Sequence, residues 1–278
     1  MLNLVLGRSG TGKTEYIRDL LREKAKNGDD RLLLIVPEQF SYSCERAFLE
    51  TLDPQSAQNI EVLSFTRLAD FINRRVGGIG DITLDDAFEV ILMLHTINDM
   101  QDSLVFYKKQ AQRTFFAKDL IILFSEFNKQ CITAEDLRSA ATKSENATLK
   151  AKLTDLALIF DRYNSILKEN GLTNEDLAVY QVINSLCEND IFAEYTVCID
   201  AFKGFTGQEL EIIKQLSLQA KDLYISLCVD PNFLDKDDPS MIFGAVRATV
   251  TALKSTCKEK PNIISLKDPH RFQYNALA

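Results

Sequence analysis

Eight residues near the amino terminus carry the densest chemistry in the chain: Gly7-Arg8-Ser9-Gly10-Thr11-Gly12-Lys13-Thr14. Their spacing, G-x-x-x-x-G-K-T, is that of a loop that cradles phosphate groups. Glycine lets the backbone curl so that successive N–H groups converge on an anion. A helix opening near Lys13 would add the partial positive charge of its first turn. The Lys13 ammonium would reach a β- or γ-phosphate, and the Thr14 hydroxyl would complete a Mg²⁺ shell. A glycine- and serine-containing loop can match this pattern by chance. Here an apolar run, Leu2 to Leu6, precedes it and a helical pattern follows, which is the context the chemistry requires. A nucleotide with Mg²⁺, held by Gly7 through Thr14, is the expected ligand.

Such a loop works with a carboxylate at the end of an apolar strand, which holds the metal through water. Hydrolysis usually needs an adjacent Glu to orient the attacking water. Two apolar runs end suitably, at Asp200 and at Asp230. A strand-end Asp also caps turns, and Asp230-Pro231 fits that blander role. Asp200 is the better metal candidate, because a helix carrying Gln208 and Glu209 follows it. The next residue, however, is Ala201, and a methyl group cannot polarise water. Loss of such a base typically costs a factor of roughly 10² to 10⁴ in rate. Nucleotide binding with slow or absent hydrolysis is therefore expected, and no catalytic residue is assigned.

The elements that must position these residues follow from patterning. Ile17, Leu20 and Leu21 keep helical spacing between Thr14 and Lys26, and Asn27-Gly28 ends that helix. Arg31 to Val36 is a continuous apolar run, as a parallel strand covered on both faces requires. Pro37 stops it, and a helix from Ser41 to Leu52, a loop from Asp53 to Asn59 and a strand from Ile60 to Ser64 follow. Leu68, Ile72 and Val76 begin another helix. This alternation predicts a doubly wound α/β sheet.

After Gly77-Gly78-Ile79-Gly80 the pattern turns helical. Helices are predicted over Asp85–Met100, Arg113–Gln130, Ala134–Lys143, Ala147–Asn170 and Asn174–Cys187, with no strand from Leu84 to Glu188. Thr83, Thr133 and Thr173-Asn174 stand before acidic residues as caps, and Asn170-Gly171 reads as a stop. The stripe Phe115, Leu120, Leu123, Phe124 and Phe127 reads as core rather than as a docking face. Strands return at Tyr195–Asp200 and Leu223–Asp230, with a helix from Thr206 to Gln219 between them. Ile242 to Cys257 suggests a last helix, and Lys260 to Ala278 has no clear pattern and does not close the fold. The expected organisation is an α/β domain in two pieces, residues 1–80 and 193–278, interrupted by an all-helical insert over 81–192. The end at Ala278 reads as a cut.

Composition bounds the partners. With 278 residues, 46% hydrophobic and 26% charged, the chain can bury a full core. No apolar run approaches a bilayer span and no leader is recognisable, so no membrane partner and a cytoplasmic location are expected. The six cysteines form no C-x-x-C pair and read as buried free thiols. His95 and His270, the two histidines, read as structural. A net charge of −8 argues against a strong stand-alone nucleic-acid binder.

The order of these segments resembles a superfamily 1 helicase and, more closely, the N-terminal part of the AddB family. Its members are the second subunit of a bacterial ATP-dependent helicase–nuclease that processes broken DNA ends. Gly7–Thr14 resembles the family's nucleotide loop, and Ile35-Val36-Pro37-Glu38-Gln39-Phe40 its V-P-[DE]-Q segment. Val62-Leu63-Ser64-Phe65-Thr66-Arg67-Leu68-Ala69 resembles the segment after the third strand. Val197 to Phe202, with Phe205-Thr206 and Gln208-Glu209, resembles the stretch around the metal-binding Asp.

The resemblance implies a RecA-like P-loop NTPase sheet with a large helical insert. It implies ATP and Mg²⁺ at Gly12, Lys13, Thr14 and Asp200. It also implies single-stranded DNA facing Pro37, Gln39, Ser64, Phe65 and Thr66 at strand ends; for Phe65, base stacking and core packing weigh equally. Active motors read Asp-Glu where this chain reads Asp200-Ala201, and carry a Gln where it has Phe233. Both departures resemble AddB, read as a degenerate motor that scans DNA while an AddA-type partner translocates. The parent's nuclease domain and its iron–sulfur cluster, held by four cysteines, are not recognisable here. An architectural ATP-binding module and a small-molecule kinase stand as alternatives, although no Arg-rich lid of the kinase kind is found.

Overall fold

The computed structural model describes residues 1–76, 82–111, 113–230, 244–256 and 260–268. In chain order the elements are β1 (Leu2–Gly7), α1 (Lys13–Lys26), β2 (Leu32–Ile35), α2 (Glu38–Thr51), α3 (Pro54–Ala57), β3 (Ile60–Leu63) and α4 (Phe65–Val76). Then come β4 (Ile82–Thr83), α5 (Asp86–Met100), a 3₁₀ turn (Gln101–Ser103), α6 (Thr114–Lys129), α7 (Ala134–Lys143), α8 (Ala147–Glu169), β5 (Leu172–Thr173) and α9 (Glu175–Glu188). The remainder is β6 (Thr196–Ile199), α10 (Gly207–Gln219), β7 (Asp222–Cys228), α11 (Gly244–Thr256) and β8 (Asn262–Leu266). Among the described residues no helix is long and apolar enough to cross a membrane.

The chain divides into two compact units, Met1–Val76 with Val182–Ala278, and Gly77–Gln181. The first is built on a six-stranded sheet of order β3-β2-β6-β7-β1-β8. Every pairing between its described strands is parallel. β1, β2 and β6 are buried along their whole length, which is why their sequences are unbroken apolar runs. On α1, Ile17, Leu21 and Ala25 recur every fourth residue and pack with Val5, Leu34, Phe48 and Val62. Since all strands run the same way, their carboxyl ends share one edge, where the loops after β1, β2, β3, β6 and β7 emerge.

The second unit is mostly helical. Met93, Ile97, Phe124, Phe160 and Tyr163 are buried in its core, and the Phe124 and Phe160 rings lie 4.7 Å apart. Asp155, fully buried on α8, accepts hydrogen bonds from the amides of Val105, Phe106 and Tyr107 and so ties down the loop before α6. Thr133 and Asp136 close a reciprocal capping box at the start of α7.

Several expectations need correction. The stretch expected as a loop between Asp53 and Asn59 holds α3: Asp53 accepts from the amides of Gln55 and Ser56, and Pro54 supplies a ready-made first-turn φ. The helical stretch contains strand after all, since β4 and β5 pair in parallel through Ile82–Leu172 and Thr83–Thr173. Two residues per strand are too few to register as periodicity. Thr83 therefore lies in β4, and Asp85 caps α5 through the Phe88 amide. Phe115 belongs to no core, being 82% exposed, although Leu120 and Phe124 are buried. The unpatterned end does add to the sheet: β8 pairs with β1 through Asn3–Asn262 to Gly7–Leu266. Among the thiols Cys44 and Cys198 are buried, but Cys187 is exposed. Gly77–Gly80, Pro231, Phe233, Cys257 and His270 lie outside the described residues; His95 is exposed beside Asp99 at 3.4 Å.

Candidate nucleotide site at the carboxyl edge of the sheet

The glycine loop joins β1 to α1 at this edge. Gly7 ends β1 with no room for a side chain. A Cβ there would stand 2.3 Å from Thr11 Oγ1 and 2.7 Å from the Leu266 carbonyl oxygen. Gly10 and Gly12 adopt φ of 83° and 82°, the left-handed region that glycine enters at no steric cost. Thr11 is buried and closes the loop internally, its hydroxyl donating to the Arg8 carbonyl at 2.9 Å. Arg8 and Ser9 are exposed on the loop's outer side, and Thr14 stands half-buried in the first turn of α1. Gly12 is the N-cap of α1 and brings no side-chain cap, so the first-turn amides keep their partial positive charge for an external anion.

Lys13 folds back over the loop. Its Nζ donates to the Gly7 carbonyl at 2.9 Å and to the Arg8 carbonyl at 2.8 Å. An ammonium carries three donors, so one remains to be used. Burial pushes this ammonium below the ordinary lysine range, while the pull of Cys228 and of Asp200 opposes the shift. The same electrostatics place Lys13 within reach of Asp200, the residue that follows β6.

Asp200 is 4% exposed and is held at two points: its amide donates to the Ile35 carbonyl at 3.0 Å, and its Oδ1 accepts from the Ser226 hydroxyl. Ser226 lies on β7, in register with Val5 of β1 on its other side. β7 thus stands between the loop strand and the Asp200 strand and orients the carboxylate from there. Neither Ser226 nor Cys228 was assigned a role from sequence; the signal available was a lone hydroxyl inside an apolar strand. Asp230, the competing carboxylate, is also buried at the carboxyl end of β7.

Ala201 is exposed and has φ of 67°, an arrangement uncommon outside glycine that costs an alanine roughly 1–2 kcal/mol. Beyond it, Thr206 and Glu209 form a capping box that starts α10, with Gln208 buried in the first turn.

The residues expected to face DNA belong to helix starts rather than strand ends. Pro37 precedes α2, with Gln39 exposed in its first turn. Ser64 is buried and its hydroxyl accepts from the Arg67 amide, which caps α4. Thr66 is exposed in the first turn of that helix. Phe65 is 5% exposed and packs edge-on against Phe202 and Phe205, with centroids 5.3 and 6.3 Å away. That is a core position.

A parallel α/β sheet flanked by helices, with a glycine loop and a buried carboxylate at its carboxyl edge, is consistent with the RecA-like class of fold. The family described as ADDB, N-terminal, matches residues 4–276, and the chain belongs to that family. A protein of Clostridium botulinum (strain Loch Maree / Type A3) is 31% identical over 273 residues, which cover 96% of this chain and 23% of that protein. One of Clostridium novyi (strain NT) is 28% identical over 278 residues, 97% of this chain and 24% of its own length. One of Caldanaerobacter subterraneus subsp. tengcongensis is 28% identical over 282 residues, 99% and 24% respectively. All three are named as the second subunit of an ATP-dependent helicase/deoxyribonuclease. The chain thus spans about a quarter of the length of the curated relatives it matches.

Proposed function

We propose that this chain is the nucleotide-binding, helicase-like N-terminal part of a helicase–nuclease subunit that processes double-strand DNA breaks. In this reading residues 1–80 and 193–278 form a P-loop domain of the RecA-like kind, and 81–192 form a helical insert. Gly7 to Thr14 hold the phosphates of ATP, and Thr14 and Asp200 hold Mg²⁺. The residues present fit such a group: a loop that excludes a side chain at Gly7, an uncapped helix start, a lysine with a donor to spare, and a buried carboxylate oriented by Ser226. When bound, Mg²⁺ would supply charge neutralisation between phosphate oxygens.

The observation that carries the reading is the pairing of Lys13 with a neighbouring Asp200 that is followed by Ala201. Binding groups are kept, while the position where an active motor has Glu holds an exposed methyl. The chain's own residues therefore bind and orient nucleotide but lack a group to take a proton from water, and hydrolysis is slow or absent. Gln39 and Thr66, exposed in the first turns of α2 and α4, are the best placed of the DNA-contact candidates, with Pro37 beside them. Ser64 and Phe65 support that surface from beneath. By the resemblance, an AddA-type subunit is the partner and single-stranded DNA the substrate of the whole complex, in the cytoplasm.

The test is thermal stabilisation of the chain by ATP–Mg²⁺, and turnover with and without single-stranded DNA. ATP–Mg²⁺ should raise Tm in the parent chain and not in Lys13→Ala; stabilisation that survives the substitution would refute the loop assignment. Turnover stimulated by single-stranded DNA would overturn the degenerate-motor reading. Nucleotide binding that strengthens assembly with the AddA-type partner yet leaves DNA binding unchanged would favour an architectural module. Phosphoryl transfer to a metabolite would favour a kinase.

A further inference from the structure

The face between α5 and α6 is distinct from the nucleotide site and has a chemistry of its own. A groove of about 640 Å³ runs there, with Ala87 and Val90 on one wall, Ile121 and Ile122 on the other, Asp86 and Glu89 on the α5 side and Lys118 on the α6 side. Its apolar character continues onto the surface: Ile122 is 65% exposed and Phe115 82%. Phe115, Lys118 and Ile122 are spaced i, i+3 and i+7, so they form one stripe along α6 rather than the rim of a closed cavity.

Glu89 is fixed in this groove. Its Oε1 accepts from the Tyr163 hydroxyl and from Asn174 Nδ2, both at 2.8 Å. Asn174 is itself held by the Leu177 amide at 3.0 Å, and Tyr163 is 2% exposed. Burial, and then the charge of Glu89, push the Tyr163 hydroxyl far above the ordinary tyrosine range, so it stays a donor. Both donors are neutral and both bind the same oxygen. They orient the carboxylate without cancelling its charge, and its second oxygen is not engaged by either.

We propose that this groove receives an amphipathic helix of another polypeptide that presents an arginine or lysine between aliphatic side chains. A linear apolar trough between two helices matches the helix-in-groove mode, and the two carboxylates against one ammonium set the sign of the charge it takes. The aliphatic side chains of that helix cover Val90 and Ile122, and its cation meets Glu89.

Two fluorescein-labelled synthetic helical peptides test this with the full chain, identical except for Arg or Gln at the centre of a leucine stripe. Anisotropy should show the Arg peptide binding at least about tenfold more tightly, as a charge-assisted hydrogen bond implies. Glu89→Gln keeps an oxygen for Tyr163 and Asn174 but should erase that difference. Ile122→Asp, at an exposed position, should weaken both peptides with an unchanged circular dichroism spectrum. Equal binding of the two peptides, binding of neither, or an Arg preference that persists in Glu89→Gln would overturn the proposal. So would self-association of the chain that Ile122→Asp abolishes, since the groove would then serve a second copy.

Discussion

Gly7 is constrained from two directions, by the Thr11 hydroxyl of its own loop and by the Leu266 carbonyl of the neighbouring strand. Its φ is not what demands glycine; the space is. A methyl group there must push the loop away from β8 or open the Thr11–Arg8 turn, and either change moves the carbonyls that hold Lys13. Gly7→Ala should therefore destabilise the chain by about 1–3 kcal/mol, the usual range for overpacking, and also abolish stabilisation by ATP–Mg²⁺. Paired thermal melts with and without ATP–Mg²⁺ separate the two effects. A variant that melts lower yet is still stabilised in full would show that the loop tolerates the displacement. The loop was legible in the sequence because its glycines, lysine and threonine are local. Ser226 was not, because its partner Asp200 is met only when β6 and β7 lie side by side.

At the scale of elements, what could be read depended on length and on who supplies the partner. The buried strands and the long helices announced themselves through unbroken apolar runs and through spacing such as Ile17–Leu21–Ala25. β4 and β5 did not, since two residues each carry no period and exist only because they meet. β8 escaped for a related reason: its side chains are exposed or half-buried, so its place in the sheet rests on backbone pairing with β1. Helix starts were readable where the cap is a local side-chain bond, as at Thr133. There the side-chain and then the backbone bond from Thr133 hold the Asp136 carboxyl below its ordinary 3.8. A depressed folded value means the contribution is fully present above 3.8 and is lost as pH falls through the lowered value. Asp136→Asn should lower Tm at neutral pH and converge with the parent chain in acid. Circular dichroism melts from neutral pH down to roughly pH 3 check this. A gap in Tm that stays constant over that range would remove the carboxylate from the account.

For the molecule as a whole, the arrangement of strands sets a demand that the linear order hides. β1 lies between β7 and β8, whereas β2 and β3, its neighbours in sequence, are reached only across β7 and β6. A chain ending at residue 195 would retain the whole glycine loop and yet lack both strands that flank β1. It should show no stabilisation by ATP–Mg²⁺ in a thermal melt, whereas the full chain should; a response from the shorter chain would mean the loop is self-sufficient. The ordering also bears on how the protein comes into being. During synthesis the loop strand leaves the ribosome first but finds its neighbours among the last strands made, after a wait on the order of tens of seconds. Until then an apolar β-strand with two open edges must be kept from foreign pairings. The segment most recognisable in the sequence is thus the one most dependent on the rest of the chain having been completed.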